Sequence, residues 1–477
     1  MGSRKTSAHL AALNALACRS RVASHLLYLV PFMLRQGKVV NAVFENHVYE
    51  DESSSCTKAV RPGCETFGDL RSSVFYDYEK YPWWFGRHRQ NHSTVLWGTA
   101  YVQQRIWDHQ HPATCEGREF LLLQTYKMGI GANLQFLGRA LGFAMQSGRV
   151  LAILDADSDK NQVWYQKSMC HRDSWECWLH QFTNCSTKGV NPTRIMVTQP
   201  DKLPGGRDKS RRGFNSDYLP DTFRGLLREC SCIKPHMIYY WWLTQAVTYV
   251  ARINRRTQRV LLDMRDKILR VQRKGTDSLR RIRVLPPGTV AMHVRHGDKG
   301  REHPILPFSR YLEMANALAD GRTDLPVLHR ELADGNRSFR FRRDQFAGRS
   351  MFISTEDPAV VEAALSDNRP HRALGNKAWQ VILNVEERTN VKVQSMVKER
   401  GAGRATLESF LNLMIAVEAD SFVCTLSSNW CVLIDQLRMT VGGKAHAPYV
   451  NLVAYTPGTV CRRGHKELGC HCCYTQL

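Results

Sequence analysis

Between Phe120 and Leu154 the hydrophobic pattern changes period twice. Phe120 to Tyr126 is an apolar run, a short loop with Gly129 and Gly131 follows, and Leu134 to Met145 then places Leu134, Leu137, Leu141, Phe143 and Ala144 on one broad stripe before the run Val150 to Leu154. A run, a helical stripe and a second run read as a strand–helix–strand unit whose helix covers a sheet, so the two strands are expected to be parallel.

Further along, Trp242, Ala246, Tyr249 and Ile253 recur at helical spacing within residues 238 to 273, with many Arg on the opposite side, which predicts a long helix or a helix pair. Pro286, Pro287 and Gly288 end that region, and a compact strand from Thr289 to Val294 opens a second domain. That strand hands Arg295, His296, Asp298 and Lys299 to the next loop. Two more apolar runs do the same: Met351 to Ser354 ends in Thr355, Glu356 and Asp357, and Ser421 to Thr425 ends in Ser427, Ser428 and Asn429. Ligands of open α/β sheets bind outside the carboxyl ends of strands, so three polar strand ends point to one crevice. Residues 320 to 346, rich in Arg with Gly321 and Gly335, read as a peripheral insertion.

With 477 residues the chain is long enough for two cores plus tails. The expected organisation is a targeting or anchor segment at 1–44, a less regular stem at 45–118, a Rossmann-like domain with its helical region at 119–285, a second Rossmann-like domain at 286–457, and a Cys-rich tail at 458–477. The fold class is therefore α/β. The net charge of +22 implies anionic partners or substrates. No zinc-finger, basic-zipper or RNA-recognition spacing accompanies the basic clusters, so nucleic acid is not the expected partner.

Fifteen cysteines, mainly within 56–232 and 424–473, read as disulfide staples of a lumenal protein. The tail residues Cys461, His465, Cys470, His471, Cys472 and Cys473 have a zinc-like composition without paired CxxC spacing. Asn91, Asn184 and Asn336 each stand in an N-glycosylation triplet, which also leans toward the lumen. Residues 1–44 carry six Lys or Arg and no acid, with an apolar stretch near Leu26 to Leu34 that is shorter than a full span, compatible with a membrane anchor or transit segment.

The most specific run is His293-Val-Arg-His-Gly-Asp-Lys299, followed by Glu302, His303 and Pro304. An arginine at a strand end presents a planar fork to phosphate oxygens, and a departing nucleoside diphosphate needs its charge neutralised by a metal or by fixed cations. From spacing alone Arg295 serves either that purpose or an ion pair with Asp298 or Asp357. Glu302 reads either as a general base or as a loop carboxylate paired with Arg301 or Lys299.

These blocks resemble glycosyltransferase family 23, the core α-1,6-fucosyltransferases and the bacterial nodulation fucosyltransferases. The resemblance extends over Trp241, Trp242, Gln245, Tyr249, Ser354 to Pro358, Ala419, Asp420, Cys424, Thr425, Ser427, Ser428 and Cys431, and covers roughly residues 120 to 455. It implies two facing Rossmann-like domains of the GT-B type, GDP-fucose as donor, a GlcNAc-containing glycan as acceptor, an inverting transfer without a metal cofactor, and a Golgi or other secretory-pathway location. It also implies a disulfide between Cys424 and Cys431. By position, Arg295 would hold the β-phosphate, His293, Ser428 and Asn429 the nucleotide, Asp357 and Tyr311 the donor, and Gly129 with Gly131 the pyrophosphate from across the crevice. Glu302 would act as base beside Lys299 and Asp298.

Two positions depart from the family: His296 replaces a second Arg, and Asn412 stands where an Asp contacts guanine. Two other readings remain. Asp155 and Asp157 follow a strand as a metal-binding DxD does, which would suit a metal-dependent glycosyltransferase. A glycan-binding homologue without turnover is the second.

Overall fold

The computed structural model describes residues 96–452, apart from 126–127, 155–163, 165–167, 171–173, 200–202, 204–217, 232, 234–236, 273–277, 298–304, 321–348, 367–378, 386–396, 399, 427, 446 and 448, together with the short strands at 459–461 and 473–475.

The N-terminal unit is built on three parallel strands, β1 (Phe120–Leu123), β2 (Val150–Ile153) and β3 (Ile195–Thr198), in the order β2-β1-β3. Helix α1 (Thr99–Gln110), from the segment read as stem, precedes them, and helix α2 (Ile130–Gln146) makes the expected crossover between β1 and β2. It begins four residues before the apolar stripe does, because Ile130, Gly131 and Asn133 are buried along with it. Helix α3 (Asp221–Cys230) leads to a helix pair, one of the two arrangements expected: α4 (Ile238–Val250) and α5 (Arg255–Ile268). The break between them is set by Asn254, whose side chain accepts the Thr257 N–H at 2.9 Å and so caps α5.

Helices α2 and α4 pack closely. A Cβ on Gly142 would lie 2.2 Å from the Tyr218 carbonyl oxygen and 2.7 Å from Trp242 Nε1, so only glycine fits there. Helix α1 adds a buried polar bond to the same layer, Gln103 Nε2 donating to the Gln245 carbonyl at 2.8 Å.

The second sheet has seven strands: β4 (Leu269–Gln272), β5 (Leu279–Arg281), β6 (Val290–Val294), β7 (Ser350–Thr355), β8 (Gln380–Asn384), β9 (Ser421–Cys424) and β10 (Tyr449–Asn451), in the order β10-β9-β6-β7-β8-β4-β5. The first five in that spatial order are mutually parallel; at one edge β4 pairs antiparallel with β8, and β5 antiparallel with β4. Although β4 and β5 precede the Pro286–Gly288 break, they join this sheet. Helices α6 (Phe308–Ala319), α7 (Pro358–Ser366), α8 (Ala402–Glu418) and α9 (Asn429–Met439) make the crossovers. Taken in chain order from β6, the five parallel strands have the 3-2-1-4-5 order of a doubly wound fold, and the order reverses between β6 and β9. Farther on, β11 (Thr459–Cys461) and β12 (Cys473–Thr475) form an antiparallel pair.

Alternation within the strands separates two layers. Val290, Met292 and Val294 face a core with Phe308, Tyr311 and Val360, while Ala291, Phe352, Ile382 and Phe422 face a second core that continues without interruption through α9 into α2 and α4. Buried polar bonds cross that junction: Tyr240 Oη donates to Asp435 Oδ2 at 2.5 Å, Gln135 Nε2 donates to Gln436 Oε1 at 2.6 Å, and the hydroxyls of Thr248 and Thr440 are 2.7 Å apart. Disulfides join Cys115 to Cys185, Cys170 to Cys177 and Cys424 to Cys431. Among the described residues no helix is long and apolar enough to cross a membrane.

Candidate functional site

In open α/β sheets ligands bind outside the carboxyl ends of the strands where their order reverses, here β6 and β9, and the sequence places its distinctive polar residues there. Residue 295 is the first after β6, residues 356 and 357 follow β7, and Ser428 with Asn429 follows β9.

Arg295 is held by the end of the neighbouring strand. Its Nη1 donates to Glu356 Oε1 at 2.6 Å, and the same oxygen accepts the His296 backbone N–H at 2.8 Å. Both side chains are mostly buried, at 16% and 13% exposure, so this pair is screened less than a surface pair. Among the described residues its partner is Glu356 and not the Asp357 that the sequence offered; Asp298, the other residue offered, lies outside them. Asp357 instead takes His296: the imidazole Nδ1 lies 2.7 Å from Asp357 Oδ2, and its Nε2 lies 3.0 Å from the Leu306 carbonyl oxygen. Asp357 Oδ1 also accepts the Ala359 N–H at 3.0 Å, which fixes its turn.

Tyr311, on α6, closes the floor. It is 1% exposed, and burial pushes its hydroxyl up to about 12, partly offset by hydrogen bonds to Thr425 and to the Arg295 backbone. At neutral pH it is an un-ionised phenol tying the end of β6 to that of β9.

His293 lies on the other face of β6, with Nδ1 3.2 Å from Ser354 Oγ and its ring centroid 6.3 Å from that of Trp430. In register, His293 pairs with Ser354, and Asn384 ends β8 on the same face. Asn384 Nδ2 donates to Asn412 Oδ1 at 2.6 Å, so Asn412 joins this polar band through α8.

The opposite wall comes from the N-terminal unit. A Cβ on Gly131 would lie 2.8 Å from the Asn429 carbonyl oxygen and 2.9 Å from Trp430 N, so the first turn of α2 rests on the first turn of α9. Gly129, the residue before α2, has open space around it. Neither first turn contains an acidic residue. Each presents N–H groups without intrahelical acceptors and the positive end of its dipole. One cationic strand end and two convergent helix N-termini suit a ligand with two adjacent phosphoryl groups.

Asp298, Lys299 and Glu302, assigned to acceptor activation, lie outside the described residues, as do Asp155 and Asp157 of the alternative metal reading and Ser427. Of the glycosylation triplets, Asn184 alone is described; it is exposed, and its amide donates to the Pro112 carbonyl at 3.3 Å. Sequence reasoning gave Glu356 no role although it named the residue at the strand end, and it did not find Trp430 or Asn384. The apolar run before Asn384, Val381 to Leu383, was the available signal for β8.

No family model matches the chain, and no curated protein matches it. Among solved structures it is similar to the fucosyltransferase NodZ from Bradyrhizobium, with 12% identity over 66% of this chain and 93% of that one at a TM-score of 0.32. It is similar to a variant of Arabidopsis thaliana FUT1 in complex with GDP, with 9% identity over 71% of this chain and 73% of that one at a TM-score of 0.35. POFUT1 in complex with GDP-fucose gives 12% identity over 71% and 98% of the two chains at a TM-score of 0.30.

Proposed function

We propose that the chain is a glycosyltransferase that moves fucose from GDP-fucose to a sugar hydroxyl, with the 6-OH of a GlcNAc unit in an N-glycan core or chitin-like glycan as acceptor. The carrying observation is Arg295 at the end of β6, held by Glu356 beside the reversal point, where the N-termini of α2 and α9 converge. The sequence blocks around His293 to Lys299 and Cys424 to Cys431 support the donor assignment.

The acceptor oxygen attacks C1 of fucose from the face opposite the nucleotide, giving inversion. The bond from C1 to the β-phosphate oxygen breaks, and the pair of electrons leaves with GDP. Arg295 and the first-turn N–H groups stabilise that developing charge, which is largest in the transition state. Glu302 takes the acceptor proton in this scheme. The disulfides among the described residues favour an oxidising compartment, in line with a secretory-pathway lumen.

A donor screen with GDP-fucose, GDP-mannose and UDP-sugars, with and without EDTA, tests the reading. GDP release that needs both GDP-fucose and a GlcNAc-terminated acceptor, and survives EDTA, is the expected result. Glycan binding with no turnover of any donor contradicts it.

A further inference from the structure

The segment from Arg255 to Val284 carries eleven Lys or Arg against three Asp or Glu, a net +8 of the chain's +22. It forms α5, β4 and β5 at the edge of the large sheet farthest from β10, where β5 has one strand neighbour. The inner stripe of α5, Thr257, Leu261 and Arg265, is buried, and Arg265 pairs with Glu418. The outer side displays Arg255, Arg256 and Arg259, and every residue of β5 is exposed, including Arg280 and Arg281. The two acids described here, Asp263 and Asp266, already face Lys267 and Arg283.

Two further observations indicate what this surface meets. Arg270 and Arg281 are direct cross-strand partners, a like-charged pair that costs stability until an anion lies against it. The exposed large aliphatic side chains also gather here: Val260 (37%), Leu262 (54%), Leu279 (39%) and Val284 (54%) are four of the seven among the described residues. A fifth, Val385, donates its N–H to the carbonyl of Ile268 at the end of α5. A soluble polyanion engages the cations and gains nothing from these aliphatics. An anionic bilayer engages both, with phosphates on the guanidinium forks and the side chains set between headgroups.

We infer that the outer face of α5 and β5 is a docking surface for an anionic phospholipid membrane. Because β4 starts level with Asn384, the Arg270–Arg281 end of this surface lies at the same end of the sheet as Arg295, so docking there holds that end toward the lipid. The inference rests on the chemistry of this surface and does not depend on the donor, the reaction or the lumenal location proposed above.

The test is co-sedimentation of the full chain with vesicles of phosphatidylcholine alone and with about one third phosphatidylserine, comparing variants that share the basic segment 1–44. The triple variant Arg259→Gln/Arg280→Gln/Arg281→Gln should lower partition onto anionic vesicles roughly a hundredfold. The double variant Leu262→Ser/Val284→Ser should lower it at least about tenfold while leaving binding to a soluble sulfated polysaccharide unchanged. Unchanged urea midpoints show that both variants fold, as exposed positions predict. Absence of binding to anionic vesicles, or partition indifferent to the triple variant, overturns the inference. So does a double variant that behaves as wild type on vesicles while the triple variant loses vesicles and polysaccharide alike, which makes the surface a polyanion site.

Discussion

Gly131 and Asn429 lie so close that a single added carbon on the glycine would meet the Asn429 backbone at 2.8 to 2.9 Å. This contact places the first turn of α2 against the first turn of α9 and makes two helix N-termini one wall of the crevice. Gly131→Val is expected to push them apart at an overpacking cost of about 1–3 kcal/mol. Its urea midpoint should fall and its GDP affinity weaken, whereas Gly129→Ala, which meets no atom within 4 Å, should leave the midpoint nearly unchanged.

Glu356 holds Arg295 and the His296 N–H with one oxygen, so it positions the guanidinium without reaching the donor in this account. Glu356→Gln keeps the size and an acceptor but removes the charge-assisted bond. A kcat lowered by roughly tenfold to a hundredfold with a smaller change in KM is expected, read from initial rates of GDP release.

The junction between the two units is a shared core, tied by Tyr240 and Asp435. Unfolding is therefore expected to be one transition by both fluorescence and far-UV circular dichroism. Tyr240→Phe removes a partner from a fully buried carboxylate and should cost about 1–3 kcal/mol without splitting that transition.

Stability should fall in acid through two histidines. His111 and His180 are each lowered to about 4, first by burial and then by the Arg252 guanidinium. Both are neutral in the native state near pH 7, while in the unfolded chain they take up protons near the ordinary value of 6.5. Their contribution is complete above 6.5, is lost as pH falls from there toward 4, and changes no further below. Urea midpoints at several pH values across that window should decline, and a flat profile contradicts this assignment.

Much of the crevice was legible because its strands are short apolar runs that stop at charge. Val290 to Val294, the run ending at Thr355, and the run ending at Cys424 all form where periodicity puts them. Less legible were β4 and β5, since Arg270, Arg273, Lys274, Arg280 and Arg281 break up the apolar positions between Leu269 and Arg281, and the stretch follows directly on the helical pattern of α5. Pairing was less legible: spacing offered Asp357 to Arg295, but β6 and β7 lie side by side in a register that aligns Val294 with Thr355 and brings Glu356 within its reach, leaving Asp357 to His296. The close approach of Gly131 to Asn429 joins residues far apart in the chain, which no local pattern encodes.

The central claim is that Arg295 carries the donor pyrophosphate, and calorimetric titration of GDP into wild type and Arg295→Ala in the presence of EDTA tests it most directly. The account predicts GDP binding to wild type and a loss of roughly tenfold to a hundredfold in affinity in the variant, with a single cooperative urea transition, at a midpoint lowered by the loss of the Glu356 partner, as the control for folding. Equal affinity in the two proteins would contradict it.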